Sequence, residues 1–148
     1  MRFLIQRVGK ASVKVDDKIV GKIGKGFLVL VGITHEDTKE IADLMVKKLL
    51  KLRVFSDEND KMNLALHDID GELLLISQFT LYANCKHGNR PDFLNAAKPE
   101  YAKGIYEYVV ESCKNDGITV QEGIFGADMK VELLNDGPVT IILDSDEL

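Results

Sequence analysis

A chain of 148 residues, 45% hydrophobic and 29% charged, suits one globular domain with a single core. Its net charge of −5 argues against a protein that coats nucleic acid, where phosphate neutralisation dominates binding, but leaves room for one that grips a short single-stranded end through a local basic patch. No apolar run approaches the roughly 18 residues that span a bilayer, and no signal-peptide segment opens the chain, so a cytoplasmic location without membrane association is expected.

Residues 2–8 and 11–15 read as strands, Val13 and Val15 alternating with Ser12 and Lys14. Asp16-Asp17 offers a hairpin turn into a strand over 18–23. The unbroken apolar run 26–33 reads as a strand buried on both faces. Asp37 is a candidate N-cap with Glu40 three residues on, and Ile41, Leu44, Met45, Lys48, Leu49 and Leu52 give a helical stripe, so a helix is predicted from about 38 to 51. A short strand at 53–55 and a polar turn at 56–61 lead to a buried strand over 72–77 that runs on into Gln78-Phe79-Thr80. Residues 83–97, with Lys86, His87, Arg90 and Pro91, carry no periodicity, and a long irregular stretch of this kind is more often functional than idle. Pro99 at a first helical position opens a second helix to about Asn115. Its expected inner stripe is Tyr101, Ile105, Tyr108, Val109 and Ser112 or Cys113, with Gly117 past its end. Strands are expected near 118–123, 129–135 and 139–144, the last two joined by a turn at Gly137-Pro138. Strands outnumber helices and the helices fall between groups of strands, which points to an α+β domain over 1–148 with a mixed sheet.

The standard catalytic signatures are missing: no P-loop, dinucleotide-binding turn, HExxH or GxSxG is present. His35, His67 and His87 read as loop histidines, and none has a Cys, Asp or Glu at metal-ligand spacing, so neither a metal nor a cofactor is expected. Cys85 and Cys113 form no CxxC pair and read as reduced thiols. Thr80 is the obvious nucleophile candidate, yet a hydroxyl needs an adjacent base and none lies near it in sequence. Its bland reading is a strand-end threonine bonded to a neighbour.

Two segments taken together are more specific. Ser77-Gln78-Phe79-Thr80-Leu81-Tyr82-Ala83 and Asn135-Asp136-Gly137-Pro138-Val139-Thr140, with Met1 to Val8 and Gly123 to Met129, resemble the D-aminoacyl-tRNA deacylases along the whole chain. That resemblance implies the family fold, a barrel-like core of mixed sheets with two main helices. It also implies hydrolysis of the ester between a D-amino acid and its tRNA, extending to glycine mischarged on alanine tRNA. The partners it implies are the 3′-terminal adenosine of an aminoacylated tRNA and a second copy of the chain. Ser77, Gln78, Phe79 and Thr80 become the catalytic segment. Gly137 and Pro138 become a cis Gly-Pro motif whose carbonyls project into the partner's site, holding the substrate amine and excluding an L side chain. Arg7 supports that turn, with Val139 and Thr140 beside it, and Phe125 and Met129 line the adenosine pocket. Two mechanisms stay open: attack by Thr80, or assistance by the ribose 2′-hydroxyl with the Phe79 and Thr80 N–H groups as oxyanion donors, each such donor contributing roughly 10²–10³ in rate. Two other readings share the chain: an editing module that removes L-serine from threonine tRNA, and a non-catalytic dimeric RNA-binding module.

Overall fold

The computed structural model describes all 148 residues. Strand β1 (Arg2–Val15) is the hub of the sheet, and its length is what lets it pair with three neighbours. Its first half pairs antiparallel with β3 (Gly26–Gly32) and its second half with β2 (Lys18–Ile23), while β8 (Lys130–Asp144) runs antiparallel along its other side. Beyond β3 the sheet continues in parallel through β6 (Glu72–Ser77) to β7 (Thr119–Glu122). A two-stranded ribbon, β4 (Phe55–Ser56) with β5 (Met62–Leu64), lies outside this sheet.

The sheet curls until its two ends touch. A Cβ on Gly21 of β2 would lie 2.8 Å from the Glu122 carbonyl of β7, so only glycine permits this approach. The concave side encloses a small core of Val8, Ala11, Val13, Ile23, Leu28, Leu74 and Ile76. The convex side carries the main core, where Phe3, Ile5, Phe27, Val29 and Val31 meet helices α1 (Lys39–Leu50) and α2 (Pro99–Asn115). Fully burying a side chain such as Phe3 stabilises the fold by about 1.5–3 kcal/mol. Together these elements make the α+β, barrel-like mixed sheet with two main helices that the sequence implied. Neither helix is long and apolar enough to cross a membrane.

Several local expectations need correction. Residues 2–8 and 11–15 are one strand, since exposed Gly9 and Lys10 mark register shifts against β8 rather than a break. The α1 cap is Thr38, whose hydroxyl accepts the Ile41 N–H at 3.3 Å. Asp37 is instead buried and accepts the Met1 ammonium at 2.8 Å and the Thr34 N–H at 2.8 Å. The buried face of α1 is Ala42, Met45, Val46, Leu49 and Leu50, with Leu44 and Lys48 outward. That of α2 is Ala102, Ile105, Tyr106, Val109, Val110 and Cys113, with Tyr101 outward. Asp16 and Asp17 do form the β1–β2 turn, both at positive φ.

Candidate active site

Parallel strands β3 and β6 both end beneath a cavity of about 600 Å³. Val31 and Ile33 line it from the β3 end, and Ile76, Ser77, Gln78 and Phe79 from the β6 end. Phe93 and the start of α2 (Lys98, Pro99 and Ala102) form a second wall, and Phe125 to Met129 form the third. The irregular segment that carries Phe93 is pinned at both ends. Asn84 and Asp92 exchange backbone hydrogen bonds, and the Ala97 N–H donates to the Ile33 carbonyl at 2.9 Å. His35 reaches the Leu94 carbonyl at 2.7 Å and the Thr34 hydroxyl donates to the Asn95 carbonyl at 2.6 Å.

After β6 the chain turns into a single 3-10 turn, Phe79–Tyr82. Gln78 N–H donates to the Val31 carbonyl at 2.8 Å, which docks the start of the turn on β3. The ladder of the turn begins with Leu81 N–H donating to Gln78, so the Phe79 and Thr80 N–H groups have no partner within it. Two consecutive backbone N–H groups are thus left out of the turn's ladder, that of Phe79 on a cavity-lining residue and that of Thr80 one residue beyond. The Phe79 ring stays 57% exposed, edge-on to Phe93 with centroids 5.0 Å apart. Thr80 does not line the cavity, and its hydroxyl accepts from the Gln78 amide at 2.5 Å.

Gly137-Pro138 is not a turn between two strands. Both halves of β8 run along β1, with Thr140 paired to Gln6 and Asn135 to Val8, so residues 136–139 bulge outward opposite the single residue Arg7. The Gly137-Pro138 bond is cis and both residues are exposed. Gly137 has φ +136°, and a Cβ there would lie 2.9 Å from the Arg7 guanidinium and 2.9 Å from Val139 Cγ2. Arg7 holds the bulge from beneath: its Nε donates to the Asp136 carbonyl at 2.9 Å and its Nη1 to the Val54 carbonyl at 2.6 Å. Asn135 closes the bulge from inside, accepting the Val139 N–H at 2.8 Å and donating to the Thr140 hydroxyl at 3.1 Å.

The expected site residues thus fall into two groups. Ser77, Gln78, Phe79, Phe125 and Met129 surround the cavity, with Thr80 just beyond it. Arg7, Gly137, Pro138, Val139 and Thr140 assemble at the opposite end of the sheet. Phe93, Lys98 and Val54 were missed, and Asn135, though part of the Gly-Pro segment, was assigned no role of its own. A lone aromatic in an irregular segment was the available signal for Phe93, and none existed for the Val54 carbonyl. His67 pairs with Asp116 at 2.8 Å on the surface, and no three His, Cys, Asp or Glu side chains converge where they could hold a metal ion.

Comparison with known proteins identifies the family and the fold. The family model described as D-Tyr-tRNA(Tyr) deacylase matches residues 4–144. The D-aminoacyl-tRNA deacylase of Clostridioides difficile (strain 630) is 57% identical over 98% of this chain and 97% of its own. The D-aminoacyl-tRNA deacylase of Fusobacterium nucleatum is 59% identical over 98% of this chain and 96% of its own. Among solved structures, the c-Myc DNA Unwinding Element Binding Protein superposes with a TM-score of 0.90 at 42% identity, covering 97% of this chain and 98% of that one. A probable eukaryotic D-amino acid tRNA deacylase superposes with a TM-score of 0.81 at 17% identity over 96% and 97%, a likeness of fold alone. With a matching family model, full-length relatives above half identity and the two sequence segments in place, the chain belongs to the D-aminoacyl-tRNA deacylases, hydrolases of the aminoacyl ester on tRNA.

Proposed function

We propose that the chain works as a homodimer in which the Gly137-Pro138 bulge of one subunit completes the cavity of the other, so that D-aminoacyl esters are cleaved and L-aminoacyl esters refused. One observation carries this reading: the two groups of site residues stand at opposite ends of the same strands. The cavity lies beside Gly32, which pairs with Arg2, whereas the bulge lies at Arg7, which pairs with Phe27. Five residues of strand separate them by about 17 Å, too far for the bulge to reach its own cavity. A two-fold partner running in the opposite direction would bring the ends together. The outer edge of β8 supports such pairing, since it has no strand beyond it and exposes Leu133, Leu134 and Ile142.

In this reading Phe125 and Met129 receive the terminal adenosine and Ser77 to Thr80 flank the ester. The Phe79 and Thr80 N–H groups stabilise the oxyanion as the ribose 2′-hydroxyl assists the reaction. Exposed backbone carbonyls of the partner's Gly137 and Pro138 hold the amine and leave no room for an L side chain. Glycine, having nothing to exclude, is also cleaved, including glycine on alanine tRNA. Such a protein acts in the cytoplasm, where its substrate is. Sedimentation at micromolar concentration, paired with deacylation of D-Tyr-, L-Tyr- and L-Ser-tRNA, tests the reading. A dimer that cleaves only the D ester is expected, and an active monomer or preference for L-Ser-tRNA would overturn it.

A further inference from the structure

The end of α1 and the residues after it hold the densest run of positive charge in the chain. Lys47, Lys48, Lys51 and Arg53 fall within seven residues, all exposed, and no carboxylate occurs in the sequence between Asp43 and Asp57. None of the four forms a salt bridge, and Arg53 is turned by hydrogen bonds to Asn63. Lys25 joins them, its ammonium 5.8 Å from the centre of the Phe55 ring. A few lysines in the last turn of a helix are ordinary complements to its dipole. Arg53 and Lys25 lie outside that helix, and in a protein of net charge −5 such a concentration calls for a polyanion.

Its position says which one. Val54, the residue after Arg53, gives its carbonyl to Arg7, and the same guanidinium holds the Asp136 carbonyl at the foot of the Gly137-Pro138 bulge. The basic run and the bulge are therefore fastened through one side chain. Resting on the dimeric reading above, we infer that the bulge carries this cluster with it to the partner's cavity. There Lys47, Lys48, Lys51 and Arg53 of one subunit hold the phosphates of the tRNA acceptor end whose terminal adenosine occupies the other. Each subunit then supplies cavity and donors for one tRNA and the phosphate grip for the other.

The test compares D-Tyr-tRNA with D-tyrosyl-adenosine, which has the ester and ribose but no phosphate. Lys47→Gln, Lys48→Gln and Lys51→Gln are combined, with Arg53→Gln added in a second variant because Arg53 also bonds to Asn63. On tRNA, kcat/KM is expected to fall about tenfold or more near 0.1 M salt. The slope of its logarithm against log salt should become shallower by about 0.7–0.9 for each phosphate that is no longer neutralised. Hydrolysis of the adenosine ester should be unchanged. Equal losses on both substrates, or an unaltered salt slope, would overturn the proposal.

Mixed dimers with one cavity filled by Ala127→Trp then separate the subunits. Cluster substitutions on the filled subunit should slow the remaining site, and the same substitutions on the open subunit should not. The reverse pattern would refute a grip in trans. If the unsubstituted protein cleaves neither substrate, the dimeric hydrolase reading itself fails and takes the proposal with it.

Discussion

Arg7→Ala removes the side chain on which the bulge rests, and the structure sets the size of the effect. Two charged hydrogen bonds disappear, to Val54 and to Asp136, and bonds to charged groups contribute about 1.5–3 kcal/mol each. They do not count equally. Asp136 is exposed, so water replaces Arg7 at its carbonyl with little loss. Val54 is only 7% exposed, so its carbonyl is left poorly satisfied. We expect a destabilisation of about 2–3 kcal/mol, chiefly from Val54. Arg7→Lys should recover about half, because an ammonium reaches one carbonyl and lacks the planar fork that spans both. The assay is urea unfolding at fixed protein concentration, alongside the ratio of D-Tyr-tRNA to L-Tyr-tRNA hydrolysis under conditions where every variant is folded. The ratio should fall in the alanine variant. Wild-type stability, or reduced stability with an unchanged ratio, would refute Arg7's role in placing the bulge.

Thr80→Ala should keep most of its activity, because the Thr80 hydroxyl faces the Gln78 amide and does not line the cavity, whereas substrate lacking the terminal 2′-hydroxyl should be hydrolysed poorly. An acyl-enzyme trapped on Thr80 would reverse that assignment. Gly137→Ala should impair deacylation of tRNA while the fold persists, since the added Cβ meets Arg7 and Val139 at a φ of +136° on an exposed bulge; full activity in that variant would count against the bulge's part in the site. A thiol titration of the native protein at pH 8 should find one reactive cysteine. Cys85 is exposed, while burial pushes the Cys113 thiol up to about 12 and keeps it protonated. Two rapidly reacting thiols would contradict the packing of α2.

Much of the fold was legible because burial leaves a period in the sequence. The run 26–33 and the segment 72–77 were placed by their continuous apolar character, and Pro99 and Gly117 bracketed α2 through backbone chemistry. Helix phase was harder. Small residues such as Ala42 and Ala102 occupy the buried faces, while the larger Leu44 and Tyr101 point outward, so a stripe traced through the bulkiest side chains is rotated from the true one. Strand continuity was hidden for a different reason: bulges put exposed residues in the middle of β1 and β8, and exposure reads as a break. Asp37 looked like a cap because capping residues are short and polar, and its partner, the Met1 ammonium, lies 36 positions away. The expected catalytic segment and the Gly-Pro motif were picked out by family resemblance rather than by local chemistry. Nothing in their spacing showed that they stand at opposite ends of one sheet.

The central claim is that selection works by excluding an L side chain against exposed backbone rather than by recognising a D one. A site of that kind tolerates varied D side chains, since rejection through clash and unpaired polar groups discriminates by several kcal/mol while an apolar pocket gains only about 1–3 kcal/mol per methylene. The direct measurement is deacylation of D-Tyr-, D-Asp-, L-Ala- and Gly-tRNA under identical conditions. Both D esters should be cleaved rapidly, Gly-tRNA measurably and L-Ala-tRNA not at all. Rapid cleavage of L-Ala-tRNA, or complete inertness toward Gly-tRNA, would show that the site reads side chains and that the backbone account is wrong.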